Sequence, residues 1–343
     1  MDAARFEDIT HEIAADATVQ QLVVLEAHVR ALLADRVAEA LVARRTVELA
    51  EVRSCPRCGH RKVVRHGRDA AGRQRFRCLP INGNGCGRTF NALTATAFSR
   101  MRKPELWLTY AQLLADGLSL NQIVDKNIGI SRLTAWRWRH RLLGALAPRR
   151  PDRLGGIVEV DETFFLRSFK GHRGWKRGNP PEDRPPRYRG SGALLPGISW
   201  QQVPVLTAVD RNGRHVDAVM ERRVAHEALA ILLDALEPGS ILCSDDWKAY
   251  RQVARKAQCE HRIIRPTKDD WLKKAMGHPP RTAGRIGLGR VNAHHDATKT
   301  LINRIHRGVS SHYLPAYLTL LRTKRTSRPA SSKALLQRAL KPG

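Results

Sequence analysis

Four cysteines in the stretch "CPRCGHRKVVRHGRDAAGRQRFRCLPINGNGCGRTF" carry the clearest chemistry in the chain. Their spacing is Cys55-x2-Cys58, then nineteen residues, then Cys78-x7-Cys86. Two short Gly-flanked knuckles, separated by enough chain for a hairpin, let four thiolates meet one tetrahedral Zn²⁺ at about 2.3 Å. So few apolar side chains lie in this stretch that metal binding has to supply much of its folding free energy. The second gap is longer than usual, and "INGNG" reads as a loop inserted into that knuckle. His60 and His66 are alternative nitrogen ligands, although both read first as exposed loop histidines. Cys243 and Cys259 lie far away in apolar or mixed context and read as inert buried thiols.

A second chemistry comes from carboxylates in a chain that is otherwise basic. "GGIVEVDETFF" (155–165) places Asp161 where a strand over 156–160 ends, and "SILCSDDW" (240–247) places Asp245 where a strand over 241–244 ends. If those strands are adjacent and parallel, both carboxylates emerge at one edge of a sheet. Close carboxylates repel, and a divalent cation that prefers oxygen ligands, Mg²⁺ or Mn²⁺, relieves the repulsion. The third component is "RVNAHHDATKTLINRIHRG". At 100° per residue, Ala293, Ala297, Leu301 and Ile305 form an apolar stripe, and Asn292, His295, Asp296, Lys299 and His306 gather opposite. An amide, an imidazole and an ammonium on one face could close a metal site and steady a phosphate.

The elements needed to position these groups follow from periodicity. Residues 20–52 carry Leu and Val at three- and four-residue spacing with no Gly or Pro, so 1–52 is a helical region for packing or dimerisation. A zinc ribbon spans 53–92, and 103–147 is helical. The Pro-Arg break "APRRPDRLGG" (147–156) is a linker by composition. Beyond it, strands at 205–209 and after the "DRNG" turn, a helix over 223–236 and the strand before Asp245 make an α/β sheet domain over 155–322. The Pro-, Gly- and Arg-rich segment 166–200 is expected to be a long basic loop, and 323–343 a basic tail.

The balance of charge bears on partners. Sixty Lys and Arg against 32 Asp and Glu give +28 over 343 residues, which favours a polyanion, above all double-stranded DNA, through counterion release. Within 105–145, two helices joined by a Gly-containing turn, the second capped by Ser131, match a helix-turn-helix. Arg132, Arg137, Arg139 and Arg141 are candidates for DNA contact on its last helix, with Leu133, Trp136 and Leu142 packing behind them. Lys170, Arg173, Lys176 and Arg177 in the basic loop are further candidates. No apolar run is long enough for a membrane span and the N-terminus is acidic and polar, so an intracellular, cytoplasmic protein is expected.

Taken together, "CPRCG", "VEVDETFF" with "SFKG", "VPVLTAVDRNG", "LCSDDWKAY", and "VNAHHDATK" with "GVSSHYLPAYL" resemble bacterial insertion-sequence transposases of the DDE class. These carry a zinc ribbon and helix-turn-helix ahead of a ribonuclease-H-like catalytic domain, and the resemblance covers roughly residues 50–322. It implies Asp161 and Asp245 as the first two catalytic acids and Asn292 at the third position, where Glu is commoner. Lys299, seven residues on, matches the family's basic residue, and Asp246 stands where a small residue is frequent. His295 and Asp296 remain alternatives for the third ligand, with Asn292 favoured and His295 close by. The resemblance further implies a site for two Mg²⁺ or Mn²⁺ ions, cleavage at terminal inverted repeats, transfer of the freed 3′-OH to target DNA, and a homodimer or higher oligomer on DNA. Two other readings compete: a domesticated, inactive DNA-binding regulator, and a metal-dependent nuclease without strand transfer.

Overall fold

The computed structural model describes residues 2–81, 83–146, 153–188, 192–195, 198–265, 286–326 and 331–341. Most of the expected linker 147–156, parts of the basic loop 166–200, and residues 327–330 and 342–343 of the segment 323–343 lie outside them. The chain divides into two compact units, one formed by Met1–Leu146 with Ser327–Gly343, the other by Ala147–Thr326.

In the first unit, α1 (Ala3–Asp16) and α2 (Val19–Val52) fill the expected N-terminal helical region. Thr18 and Gln21 cap α2 reciprocally, satisfying backbone donors that its first turn leaves free. The C-terminal half of α2 buries Ala34, Ala38, Leu41 and Leu49, whereas Leu22, Val23, Val24, Leu25, Val29 and Leu32 nearer its start are exposed. A three-stranded antiparallel sheet follows, β1 (Val63–Arg68), β2 (Gln74–Cys78) and β3 (Thr89–Asn91). Its small core stacks Phe76 on Phe90 at 5.7 Å beside Leu49, Cys55 and Cys78.

Three further helices, α3 (Trp107–Ala115), α4 (Leu120–Asp125) and α5 (Arg132–Leu146), pack around Trp107, Tyr110, Leu114, Ile123, Trp138, Leu142 and Leu143. Ser131 caps α5 as expected, its Oγ accepting from Thr134 N at 3.2 Å. Two expectations for α5 are corrected. Arg139 is fully buried, and its guanidinium donates to Leu118 O, so it ties α5 to the turn before α4 and offers no surface to DNA. Leu133 is 56% exposed, because the buried stripe of α5 runs through Ala135, Trp138, Arg139, Leu142 and Leu146.

The second unit is built on a five-stranded mixed sheet of β4 (Ile157–Leu166), β5 (Gln202–Asp210), β6 (His215–Val219), β7 (Ile241–Ser244) and β8 (Glu260–Ile263). The spatial order is β6-β5-β4-β7-β8, with β4–β7 and β7–β8 parallel and the other pairs antiparallel. In the β5–β6 turn, Asp210 Oδ1 accepts from Asn212 N and Arg214 N, both at 2.9 Å, and Gly213 takes φ +80°, which a side chain would strain. Helices α6 (Ala225–Leu233) and α7 (Lys248–Lys256) cover one sheet face, burying Val158, Val160, Leu206 and Ala208 against Ala228, Leu232, Tyr250 and Val253. Helix α8 (Gly289–Lys299) packs over β4 and β5, and α9 (Leu314–Thr326) over β6.

Strand β4 is twice as long as expected. Its pairing with β7 ends at Glu159↔Cys243, whereas its pairing with β5 continues to Leu166. Asp161 therefore sits mid-strand, just past the last rung to β7, where one side of β4 opens.

The apolar stripe expected on the late helix is out of phase. Ala293 is exposed and Ala297 half-buried, and the buried face of α8 is Val291, His294, His295 and Thr298. Asp217 on β6 satisfies His294, and His295 turns toward Asp161 of β4, so hydrophobicity alone misplaces the face. A π-helical turn over Thr300–Ile305 then shifts the phase and buries Leu301 with Ile302.

The described part of 166–200 packs where an unstructured loop is expected. Phe169 and Trp175 meet at 5.9 Å, Arg184 lies over Trp175 at 5.2 Å, and Trp175 Nε1 donates to Arg184 O. The expected basic tail also contains a helix, α10 (Ser331–Ala339), which returns to the first unit against α3 and α5 with Leu335, Leu336 and Ala339 buried.

Candidate active site and metal centres

The four-cysteine site takes its shape from backbone turns. Gly59 N donates to Cys55 O and Cys55 N to His60 O, which folds the first knuckle, and Cys78 N donates to Arg88 O across the second. The inserted "INGNG" is a tight reversal closed by Ile81 and Asn84. Its last residue must be Gly85, because a Cβ there would lie 2.4 Å from Leu79 O. The four sulfurs gather within 4.8 Å of one another, and Cys55 Sγ–Cys86 Sγ and Cys58 Sγ–Cys78 Sγ are each 3.7 Å. A tetrahedron with Zn–S near 2.3 Å has edges of about 3.8 Å, so these thiols fit zinc. Burial drives the Cys55 thiol up to about 12 and raises Cys78, while the His60 N–H brings Cys58 down to about 7. Without a cation, the buried thiols resist ionisation. Among the described residues neither His60 nor His66 joins the cluster.

The carboxylate site forms where β4 opens. Asp161 and Glu162 of β4 and Asp245, at the end of β7, bring carboxylate oxygens within 4.8 Å of one another. Adjacent residues of a strand face opposite ways, and here both faces are used. Asp161 faces α8, with His295 Nδ1 3.9 Å from its Oδ2. Glu162 faces α7, where Tyr250 OH donates to Oε1, and Arg223 Nε donates to Oε2 at 3.0 Å. The other side of Arg223 reaches Asp245 Oδ2 at 3.3 Å, and its guanidinium lies 4.3 Å from the Trp247 ring centre.

The electrostatics are those of a crowded acid cluster. Burial raises Asp161 to about 6, with the charges of Glu162 and Asp245 adding to it and the Glu162 N–H and Arg223 opposing. Burial likewise raises Glu162, against Tyr250 and Arg223. Such a cluster fits a hard divalent cation. His295 is 4% exposed, its Nε2 has no hydrogen-bond partner among the described residues, and burial lowers it to about 4, so the ring is neutral at pH 7.

The remaining expected residues divide. Asn292 and Lys299 are exposed on α8, the helix that carries His295. Asp246 points away, bonded to Arg251 at 2.6 Å and Arg265 at 2.8 Å, and Asp296 is exposed; neither belongs to the acid cluster. Lys170 donates to Arg307 O and Gly308 O at 3.0 and 2.7 Å, so it ties its loop to the turn after α8. Arg132, Arg137, Arg141, Arg173, Lys176 and Arg177 are exposed. Cys243 is buried as expected and its thiol is raised to about 11 by burial, whereas Cys259 is only half-buried.

Sequence reasoning missed Glu162, Arg223 and Tyr250 in the cluster, and Glu159 behind it. The Glu159 carboxylate is 1% exposed and accepts from Arg290 N and Val291 N at 2.7 and 3.1 Å, with Arg211 at 2.6 Å. It caps α8 from the sheet and fixes where that helix begins. The available signal was the run of three acids in "VEVDE", in which alternation puts Glu159 on the Asp161 face.

Fold and site define a two-unit protein with a thiolate ribbon in one unit and a carboxylate-bearing mixed sheet in the other. Residues 153–322 match the ISXO2-like transposase domain, and residues 50–80 match the InsA N-terminal domain. The two spans cover more than half of the chain, which belongs to the DDE-class insertion-sequence transposases with an N-terminal zinc ribbon and a ribonuclease-H-like sheet. None of the curated proteins matches the chain.

Proposed function

We propose that this protein cuts DNA at the ends of a mobile element and joins the freed 3′ ends to target DNA. The observation that carries the reading is the meeting of Asp161, Glu162 and Asp245 within 4.8 Å at the opened edge of β4, inside an ISXO2-like transposase domain. Asp161 and Asp245 hold the divalent cation, and Glu162 supplies the acidic charge that Asn292 does not. Mg²⁺ or Mn²⁺ bound there would stabilise charge on the attacking and leaving oxygens of a phosphodiester. His295 orients Asp161, Asn292 stands one turn before it on α8, and Lys299 holds a phosphate. The ribbon, the helices α3–α5 with exposed Arg132, Arg137 and Arg141, and the loop cations Arg173, Lys176 and Arg177 bind DNA.

The test uses duplexes carrying the repeats that flank the coding region, with Mg²⁺ and a labelled 3′ end. Wild-type protein is expected to nick and join; Asp161→Ala is expected to bind these ends and leave them intact. Cleavage by that variant at the wild-type rate refutes the assignment. The neutral residue at position 292 favours the inactive-regulator reading, which predicts end binding without cleavage by the wild type. Cut ends without joined products would identify a nuclease.

A further inference from the structure

A second cluster of potential ligands lies two strands away from the acid site, between the edge strand β6 and α8. Asp161, Thr207 and Asp217 form one continuous cross-strand row over β4, β5 and β6. Asp217 has its side chain 5% exposed, and His215 on β6 and His294 on α8 are 2% and 0% exposed. His294 Nε2 is 2.9 and 3.0 Å from the two Asp217 oxygens, and His215 Nε2 is 3.7 Å from Oδ2. One donor atom from each residue lies within 4.8 Å of the others.

The hydrogen bonds around the cluster orient it as a ligand set. In the tautomer that gives Gly213 O, 3.4 Å away, the His215 Nδ1 proton, the Nε2 lone pair turns toward Asp217. A lone pair facing a buried carboxylate is repulsive unless a cation stands between them. Thr207 Oγ1 donates to Asp217 Oδ1 at 2.8 Å, the kind of outer contact that fixes a ligating carboxylate. Two imidazoles and one carboxylate suit a borderline transition metal better than Mg²⁺.

We propose that His215, Asp217 and His294 form a buried transition-metal site, taking Zn²⁺, that pins α8 to the β5–β6 hairpin. A fourth ligand would come from solvent. The position of the site gives it a purpose. His294 and His295 are consecutive, so holding the first fixes the second beside Asp161 and fixes Asn292 and Lys299 with it. The proposal stands apart from the strand-transfer reading, because a structural metal here requires no cleavage of DNA.

The experiment counts zinc in the full-length protein by plasma mass spectrometry. Wild type is expected to carry about two equivalents per chain, one in the ribbon and one here. An organomercurial, which captures thiolates, should release the ribbon zinc and leave the other bound. His294→Gln and Asp217→Asn, confirmed as folded by circular dichroism, should each carry about one equivalent, all of it released by the mercurial. The wild-type mercurial measurement decides the matter even if both variants fail to fold. A single, fully mercurial-sensitive zinc in wild type would mean that a proton takes the metal's place between the imidazoles and Asp217, and overturns the proposal. A second zinc that survives both variants but disappears in Asp161→Ala also overturns it, by placing that ion in the acid cluster.

Discussion

At the scale of the residue, Asp161 makes a prediction that does not depend on DNA. Its folded value of about 6 stands above the ordinary 3.8, so the folded chain holds that proton more tightly than the unfolded one. Its contribution to stability is therefore complete below pH 3.8 and is lost as pH rises through 6. At pH 8 the ionised, mostly buried carboxylate costs about 1–3 kcal/mol. Without added divalent cation, Asp161→Asn should be more stable than wild type to urea at pH 8 by about that amount, and equal to it near pH 4. Mg²⁺ should reverse the order at pH 8, because it stabilises only a chain that binds it when folded. If the variant gains nothing at pH 8, the acid cluster is not strained. Glu162→Gln leaves Arg223 with Asp245 alone, and is expected to weaken the response of the melting temperature to Mg²⁺ without abolishing it.

At the scale of the element, two arginines of α5 behave in opposite ways. Arg139→Ala removes a buried guanidinium from Leu118 O and leaves a void, and is expected to destabilise the first unit by about 2–4 kcal/mol. Arg137→Ala should leave stability within about 0.5 kcal/mol of wild type and weaken DNA binding. Urea unfolding and fluorescence anisotropy on the two variants separate the roles; a stable Arg139→Ala that binds DNA poorly would return Arg139 to the surface. The same contrast shows what was legible in the sequence. Cysteine spacing and the apolar runs before Asp161 and Asp245 are local signals, and they located the ribbon and the two strands; the parallel β4–β7 pairing that the carboxylate reading required is the one the fold makes, with Asp161 mid-strand and not at a strand end. Other features are set by partners distant in sequence. Arg139 is buried because a carbonyl 21 residues away receives it, and His294 because Asp217 waits on another strand. Glu159 is a cap for a helix that starts 130 residues later, a relation that no window along the chain contains. Glu159→Gln, which loosens that cap and its Arg211 pair, is expected to cost about 1–3 kcal/mol and to lower cleavage more than DNA binding.

At the scale of the whole molecule, the governing quantity is the charge of +28, carried by 60 Lys and Arg against 32 Asp and Glu. Among the described residues no helix is long and apolar enough to cross a membrane. A duplex neutralised by such a surface sheds counterions, and the affinity falls with the logarithm of salt in proportion to the phosphates engaged. If α5, the ribbon and the basic loop together engage about 6–10 phosphates, affinity for a duplex of arbitrary sequence should fall about 10³- to 10⁵-fold between 50 and 200 mM salt. Binding to the element's own ends should fall with a similar slope from a higher starting point, because base contacts add affinity without releasing further counterions. Replacing Arg173, Lys176 and Arg177 together with Gln should reduce the slope by up to about three for both duplexes, since each lost phosphate contact removes about one. Anisotropy titrations over that salt range read all three quantities. A slope near zero on random duplex would mean that the cations are spent within the protein, and a slope unchanged by the triple substitution would remove the loop from the DNA path while leaving the acid cluster's own test untouched.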